Sequence, residues 1–333
     1  MPHSARMKRR NLGSSNLAIS PIGVGCMNFG SMCDQATTDA IVSTAFDLGV
    51  NFFDVADIYG GTMNRSEAML GKALGTRRHA AIVATKFGAK LGGGGGAAPG
   101  GGSAAYLAKA VEASLASLGT DYIDLYQHHF PDAGTPVEET LRALDDLVRQ
   151  GKVRHIGCSN YSGPMLSAAF DVSRTLNLTP FVAAQNRYSL LTRDIEGDLV
   201  PVCLTEGVGV LPYFPLESGL LSGKYRKGQP LPEGSRFAKW RGGGSFASDA
   251  RYALVDQLDD YGRPRGRSVL DLAIGWLVAQ PAVASVIAGV TRPGQLVQNV
   301  AAGSWEPGAE ELAAIRSIAT GEGRQSTPVD IDS

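Results

Sequence analysis

The sequence has almost no net charge and no long apolar stretch. Its 333 residues include 31 Lys plus Arg and 32 Asp plus Glu, for a formal charge of −1, and no run of five like charges occurs. A basic stripe of the kind that binds nucleic acid or an anionic membrane is therefore missing. The longest apolar run, residues 279–290, is interrupted by Gln280 and Pro281 and is shorter than the roughly 20 residues of a membrane span. We expect neither a nucleic-acid partner nor a membrane partner.

Cysteine and histidine are too sparse and too scattered for a metal centre or a disulfide framework. The four cysteines are Cys26, Cys33, Cys158 and Cys203, and they form no CxxC pair. A chain of this size does not need disulfides for its stability. Of the five histidines, two are adjacent and the others are isolated, which is not a metal-ligand spacing. The basic cluster at residues 8–10 precedes no apolar segment, so we expect no secretory signal. These features predict reduced thiols, no metal and a cytoplasmic location.

What the chain does contain is a regular alternation of strand-like and helix-like segments. Hydrophobic residues make up 44% of the sequence, which supplies a sizeable core and excludes general disorder. Eight apolar runs, each followed by an amphipathic stretch, begin with IGVGCM, NFFDVA, AAIVATKF, YIDLYQHH, VRHIGCSN, FVAAQN, GVLPYFP and SVIAG. Eight such units predict a (β/α)8 TIM barrel of roughly 250 residues plus insertions. The alternative is a doubly wound open sheet, which usually has a GxGxxG turn after its first strand. This sequence lacks that turn, because Gly23 and Gly25 are not followed by the third glycine.

The predicted organisation is one domain over residues 1–333. A β-hairpin at 8–20 closes the barrel bottom, the barrel covers 21–302, and a C-terminal helix and tail cover 303–333. Two long loops, at 92–102 with eight glycines in eleven positions and at 227–249, follow strands three and seven. Both are expected on the C-terminal face, where barrel enzymes carry their active sites. A phosphate cradle is one interpretation of the glycine run, and a flexible loop is the one we favour.

Polar side chains follow three successive strands of the predicted barrel. Asp54 and Tyr59 come after the second strand, Lys86 ends the third, and His128 and His129 end the fourth. Taken singly, each has an ordinary structural explanation, such as a turn cap or a packed aromatic. Their joint position at strand ends on one rim predicts an active site instead.

The segments around these residues resemble the aldo-keto reductases, from the hairpin near residue 8 to the helix that ends near residue 302. The matching segments, in order, are GVNFFDVADIYG (49–60), ATKFG (84–88), LGTDYIDLYQHHFPD (118–132), GKVRHIGCSN (151–160), AAQNRYSLL (183–191) and PLESGLLSGKY (215–225). Any one of them alone is weak evidence for this family. Their number and order make the resemblance specific.

The resemblance implies a catalytic tetrad of Asp54, Tyr59, Lys86 and a histidine. The LYQxH spacing places that histidine at His129, and His128 is then a bystander. Carbonyl reduction needs a hydride on carbon and a proton on oxygen, and Tyr59 would give the proton. A tyrosine with a pKa near 10 needs a nearby cation, which Lys86 supplies, and Asp54 keeps that lysine charged. His129 would orient the carbonyl oxygen.

The resemblance also implies a nicotinamide cofactor that lies extended across the barrel mouth. The positions that match its contacts are Gly25, Cys26, Met27, Asp54, Ser159, Asn160, Gln185, Tyr213, Leu216, Gly219, Leu221, Lys224, Gly289, Thr291, Arg292, Gln295, Gln298 and Asn299. They divide into a ribose side (25–27), a carboxamide set (159, 160 and 185) with a stacking tyrosine (213), a pyrophosphate loop (216–224) and an adenosine end (288–299). Arg292 favours NADPH over NADH, because a guanidinium holds a 2′-phosphate bidentately. An ordinary polar turn at 159–160 and a solvated Arg292 are the structural alternatives.

Glu217 departs from the usual pattern, because a carboxylate in a phosphate loop repels pyrophosphate. We expect its side chain to point outward or to pair with Arg226 or Lys224. Substrate identity is not readable, although four aromatic residues either line an apolar pocket or pack in the core, namely Phe29, Phe130, Trp240 and Phe246.

These observations together predict an NADPH-dependent reductase of a small-molecule aldehyde or ketone. Two alternatives remain open. One is a nicotinamide-binding regulatory protein of the channel β-subunit kind, with little turnover, and the other is a sugar dehydrogenase that works in the oxidative direction. The sequence also leaves a homo-oligomer open.

Overall fold

An eight-stranded parallel sheet, curled into a nearly closed barrel, is the centre of the computed structural model, which describes residues 8–91, 95–239 and 244–320. A separate two-stranded sheet consists of β1 (Arg10–Asn11) and β2 (Ala18–Ile19). The eight strands of the barrel are β3 (Ile22–Gly25), β4 (Phe52–Asp54), β5 (Ile82–Phe87), β6 (Ile123–His128), β7 (Val153–Ser159), β8 (Phe181–Arg187), β9 (Gly209–Tyr213) and β10 (Val286–Gly289). Strands β3 to β9 pair in chain order, and β10 pairs with β3. The predicted (β/α)8 barrel is confirmed.

Helices connect the strands on the outside of the barrel. They are α1 (Gln35–Asp47), α2 (Arg65–Leu74), α3 (Ala104–Leu118), α4 (Val137–Arg149), α5 (Gly163–Leu176), α6 (Leu199–Glu206), α7 (Arg236–Lys239), α8 (Asp249–Gly262), α9 (Val269–Val278), α10 (Pro293–Gly303) and α11 (Ala309–Thr320). Polar residues that precede several of them accept a backbone N–H of the first turn, as Ser103 does for α3 and Ser162 for α5. No helix in the described ranges is both long and apolar enough to cross a membrane.

The barrel has one seam, between β9 and β10. These two strands do not pair as a ladder, and a single bridge joins Val210, near the N-terminal end of β9, to Val283 in the segment before β10. There the Val210 N–H donates to Ala282 O at 2.8 Å, and the Ala284 N–H donates to Val210 O at 3.0 Å. At the opposite, C-terminal end the two strands lead into separate loops.

The hairpin β1–β2 closes the bottom of the barrel, as predicted. Arg10 pairs with Ile19 in antiparallel register, and the Ser14 N–H donates to Gly207 O at 2.7 Å. Gly13 has a positive φ of 55°, and a Cβ on it would lie 2.5 Å from Gly207 O. The buried hairpin side chains pack against an inner layer of the barrel formed by Phe52, Ala84, Leu125, Val182, Ala183, Leu211, Ala284 and Ile287.

The two long loops lie at the C-terminal ends of β5 and β9. Residues 92–94 of the glycine-rich loop lie outside the described residues, and its described part folds back on itself. The Ala98 N–H donates to Gly88 O at 2.7 Å, and Ala89 bridges Ala97. In the second loop, α7 is described but residues 240–243 are not. The predicted single domain remains a prediction, since residues 1–7 and the tail at 321–333 also lie outside the described part.

Candidate active site

Lys86 is the centre of a buried polar cluster at the C-terminal end of the barrel. Its side chain is fully buried, and Nζ donates to Asp54 Oδ2 at 2.7 Å, to Val55 O at 3.0 Å and to Tyr59 OH at 3.2 Å. Asp54 ends β4, Lys86 is one residue from the end of β5, and Tyr59 lies in the turn after β4. The structure thus brings together three of the four residues predicted to be catalytic.

Two amide side chains hold the second oxygen of Asp54. Gln185 Nε2 donates to Asp54 Oδ1 at 2.8 Å, and Gln127 Nε2 lies 3.4 Å from the same atom. Parallel register places Lys86 beside Gln127, so their side chains face the barrel interior together. Sequence reasoning missed Gln127, although it shares a strand face with His129 two residues later. Gln185, assigned to the cofactor, is here a partner of Asp54.

The electrostatics of the cluster keep Lys86 charged. Burial acts to lower the pKa of Lys86, but the Asp54 carboxylate and the Tyr59 hydroxyl outweigh it and raise that pKa above its ordinary value. Burial also raises the pKa of Tyr59, and the Lys86 ammonium opposes that rise without cancelling it. Tyr59 is therefore a protonated donor at neutral pH, and its pKa is not lowered as the sequence argument expected.

His129 lies on the other side of Tyr59. The two rings meet edge to face with centroids 5.8 Å apart, and Phe130 stacks on His129 at 4.9 Å. Burial lowers the pKa of His129 well below its usual value, and the neighbouring Lys86 adds to this effect. The imidazole is thus neutral, and its buried Nδ1 has no hydrogen-bond partner among the described residues.

The adjacent His128 faces away from this cluster. Its ring stacks on Phe87 at 5.1 Å, and Nδ1 lies 2.9 Å from Tyr161 OH. The glycine-rich loop covers it closely, because a Cβ on Gly88 or Gly102 would approach the ring to 3.2 or 3.3 Å. Burial lowers the pKa of His128 to about 4. Of the two histidines, His129 is therefore the one that contacts Tyr59, and its place in the tetrad stays a prediction.

The residues predicted to hold the carboxamide surround a strained turn after β7. Asn160 has a positive φ of 61°, which is uncommon outside glycine. Its Nδ2 donates to His129 O at 2.9 Å, and its Oδ1 accepts from Tyr213 OH at 2.7 Å. Ser159 is buried beside it. Asn160 therefore connects the predicted stacking tyrosine to His129, the residue that follows β6.

On the ribose side, the backbones of two strands approach closely. A Cβ on Gly25 would lie 3.2 Å from the backbone N of Gly289. Cys26 is buried there, and burial raises the pKa of its thiol well above the ordinary value, while Met27 is half-buried. All four cysteines are buried free thiols.

The adenosine end is the turn that leads from β10 into α10. Gln295 Oε1 accepts from the Thr291 N–H at 2.7 Å, and Arg292 directly precedes α10 with an exposed side chain. Gln298 is exposed and Asn299 is buried. A helix N-terminus with an exposed guanidinium beside it is a suitable site for a phosphate.

The pyrophosphate loop follows β9 as a 3-10 turn, Glu217–Ser222, which contains Gly219 at a φ of 99°. Leu216 directly precedes this turn, and Leu221 lies within it. Lys224 lies against the loop, since its Nζ is 3.1 Å from where a Gly219 Cβ would stand. The expectation for Glu217 is wrong: its side chain is fully buried and pairs with Arg187 and Arg251.

Sequence reasoning also missed a contact across the barrel mouth. Arg236, in α7 of the loop after β9, donates to Asn28 Oδ1 at 3.2 Å, and Asn28 Nδ2 donates to Val290 O at 3.1 Å. The loop after β9 thereby reaches the ends of β3 and β10 across the predicted cofactor positions. No signal in the sequence pairs residues so far apart.

The aromatic residues proposed for a substrate pocket divide between core and rim. Phe29 is fully buried in the core, whereas Phe130 covers His129 and is half-buried. Phe246 packs under the Arg187 guanidinium, 5.0 Å from the ring centroid, and Trp240 lies outside the described residues. In the described part of the chain, no group of three or more His, Cys, Asp or Glu side chains is arranged to hold a metal ion.

Known proteins match this chain over most of its length. Residues 21–320 match the sequence profile of the Aldo/keto reductase family. A probable voltage-gated potassium channel subunit beta from Oryza sativa subsp. japonica is 35% identical over 308 residues, which cover 89% of this chain and 91% of that protein. The uncharacterized oxidoreductase YqkF from Bacillus subtilis (strain 168) is 33% identical over 316 residues, with 93% and 96% covered. A putative voltage-gated potassium channel subunit beta from Schizosaccharomyces pombe is 34% identical over 311 residues, with 88% and 87% covered.

Proposed function

Because this chain belongs to the aldo/keto reductase family of oxidoreductases, we propose that it reduces an aldehyde or ketone to an alcohol, with NADPH as the hydride donor and Tyr59 as the general acid. The observation that carries the proposal is the buried chain of hydrogen bonds from Asp54 through Lys86 to Tyr59, at 2.7 and 3.2 Å. A general acid needs a proton on the donor and a group that stabilises the anion left behind. Tyr59 and Lys86 provide these two.

The residues at the barrel mouth fit a nicotinamide nucleotide. Gly25 and Gly289 leave a close backbone approach that side chains would fill. Ser159 and Asn160 offer a hydroxyl and an amide beside the catalytic cluster, and Arg292 stands at the N-terminus of α10. When bound, the nucleotide supplies a hydride to the carbonyl carbon.

The chain's own residues then handle the proton and the oxygen. The neutral His129 imidazole hydrogen-bonds the substrate oxygen and orients the carbonyl against Tyr59. As negative charge develops on that oxygen, Tyr59 transfers its phenolic proton to it. The Lys86 ammonium stabilises the resulting phenolate, and Asp54, held by two glutamine amides, keeps Lys86 protonated.

The preference for NADPH over NADH rests on Arg292. Its guanidinium is exposed in the turn before α10, next to Thr291 and Gln295. A planar fork of donors recognises a 2′-phosphate bidentately and gains little from an unphosphorylated ribose. Replacement of Arg292 by Leu is therefore expected to weaken NADPH binding and to leave NADH binding nearly unchanged.

Substitution of Tyr59 by Phe tests the proposed chemistry. The phenylalanine variant lacks the transferable proton, so turnover with an aldehyde and ketone panel is expected to fall on the order of a hundredfold or more. The readout is loss of the reduced-nicotinamide absorbance, with the NADPH dissociation constant measured separately by calorimetry. Tyr122→Phe is the matched control, because Tyr122 packs between Arg78 and Arg154, just before β6 begins. Undiminished turnover in Tyr59→Phe would show that another group supplies the proton.

A regulatory subunit of a membrane channel is the second candidate, favoured by the names of the plant and yeast relatives. The same assay separates it from the reductase. A protein that binds NADPH tightly, yet turns over no carbonyl in the panel, would favour the regulatory function.

A further inference from the structure

The carboxylate of Glu217 has an unusually complete set of hydrogen bonds for a residue in a phosphate loop. Oε1 accepts from Ser189 Oγ at 2.5 Å and from Thr192 Oγ1 at 2.9 Å. Oε2 accepts from Arg187 and from Arg251, each at 2.7 Å. The residue is fully buried. One carboxylate therefore joins the segment after β8, the loop after β9 and helix α8.

The backbone that carries Glu217 is held in an unfavourable conformation. Phe214, Glu217 and Ser218 have positive φ values of 50°, 46° and 55°, in the left-handed region that non-glycine residues rarely adopt. Such residues persist where the surrounding structure over-determines them, and they cluster at ligand sites. The four hydrogen bonds to the Glu217 side chain supply that constraint.

Two guanidinium groups face this single carboxylate, so the three charges sum to +1. Arg187 and Arg251 are largely buried, at 11% and 14% side-chain exposure. Burial acts to raise the pKa of Glu217, but the two guanidinium groups outweigh it and lower that pKa below its ordinary value. Glu217 is thus ionised, and its negative charge is neutralised by its ion pairs with the two arginines. It does not repel an anion on the other side of the loop.

We propose that Glu217 is a positioning residue for the pyrophosphate of the cofactor, and that it fixes the left-handed backbone on which the phosphate loop is built. The inference rests on the proposed nicotinamide function. Without the carboxylate, the two arginines repel each other and the hydroxyls of Ser189 and Thr192 lose their acceptor. The loop then relaxes toward ordinary φ values, and its backbone no longer keeps the shape on which the pyrophosphate would rest.

The test compares two ligands on the full-length protein. NADPH contains the pyrophosphate, whereas adenosine 2′-phosphate contains only the group expected at the α10 turn. Glu217→Ala is expected to raise the NADPH dissociation constant by about tenfold or more, because part of the binding free energy is then used to order the loop. Affinity for adenosine 2′-phosphate is expected to change by less than about twofold, because a substitution in the phosphate loop acts independently of the α10 turn. The Michaelis constant for NADPH is expected to rise by a larger factor than kcat falls, because the contacts of Lys86 with Asp54 and Tyr59 stay in place.

Two further variants keep the comparison sharp. Glu217→Gln retains the shape of the side chain and is expected to lose less NADPH affinity than Glu217→Ala, and Arg251→Gln, which removes one donor, is expected to show the same selective loss. Glu206→Ala is the matched control, because Glu206 pairs with Arg174 at the end of α6, away from the cofactor positions. It should bind both ligands as the wild type does.

The outcomes separate this inference from the proposed function. Unchanged NADPH affinity in both Glu217 variants overturns the positioning role and leaves the reductase standing. Equal losses for both ligands overturn it as well, because they indicate a general loss of structure. A wild-type protein that binds no nicotinamide nucleotide overturns the proposed function and this inference together.

Discussion

Substitution of Asp57 by Asn is expected to make the protein more stable at neutral and alkaline pH, and to change its stability little near pH 4. Asp57 is 1% exposed, and neither carboxylate oxygen has a hydrogen-bond partner among the described residues. Burial, and then the nearby Glu67, raise the pKa of Asp57 from 3.8 to about 7. A charge at this position is therefore unfavourable in the folded state.

The sign and size of this stability change follow from the number of protons bound by the folded and the unfolded protein. Between pH 3.8 and about pH 7 the folded protein holds a proton on Asp57 that the unfolded chain has released. The free energy of unfolding therefore falls as the pH rises through this window, and this contribution is constant above it. A gap of about 3 pKa units, at about 1.4 kcal/mol each, gives a loss of about 4 kcal/mol that the asparagine variant avoids.

Urea unfolding at a series of pH values from about 4 to about 9 measures the effect. The quantity of interest is the free energy of unfolding of the variant minus that of the wild type. The opposing contributions of His128 and His129, whose pKa values are lowered, cancel in that difference. It should rise with pH up to about 7 and then stay level. The exposed Asp121→Asn should shift stability by less than about 0.5 kcal/mol at every pH. A difference for Asp57→Asn that does not depend on pH would refute the reasoning.

Three further substitutions test the packing of two glycines and one buried hydrogen bond. Gly71→Ala is expected to cost about 1 to 3 kcal/mol, because the new Cβ would lie 2.3 Å from Leu118 O. Gly294→Ala, in open space on a helix, should stabilise by up to about 1 kcal/mol, and equal melting temperatures of the two variants would contradict this account. Tyr161→Phe leaves buried His128 Nδ1 unpaired and should cost about 1 to 3 kcal/mol in urea unfolding. An unchanged urea midpoint would show that this hydrogen bond contributes nothing.

The barrel and the position of the polar cluster were predictable from the sequence for a physical reason. Eight repeats of a buried strand and an amphipathic helix allow few architectures, and parallel strands bring their carboxyl ends to one rim. Asp54 and Lys86 end neighbouring strands, so their approach follows from strand order alone. The choice of His129 over His128 rests on the LYQxH spacing of the resembled family, and its catalytic role stays a prediction.

The surroundings of Glu217 and Asp57 were not predictable in this way. Arg251 is supplied by a helix that follows a long loop, and the expected partner Arg226 pairs with Asp256 and Asp259 instead. Nothing in the sequence around Asp57 distinguishes a buried unpaired carboxyl from a capping one. Both depend on which distant segments pack together, which periodicity does not specify.

The seam between β9 and β10 has a consequence for motion. The bridge at Val210 and Val283 joins the N-terminal end of β9 to the segment before β10, while the C-terminal ends of the two strands lead to the phosphate loop and the α10 turn. The wall of the barrel is therefore weakest beside the predicted nucleotide positions, and opening there disrupts few backbone hydrogen bonds. A nucleotide that contacts both loops would hold the C-terminal ends of β9 and β10 together. We expect the amides of β9 and β10 to exchange faster than those of β6 and β7 in the free protein, and to slow most when nucleotide binds.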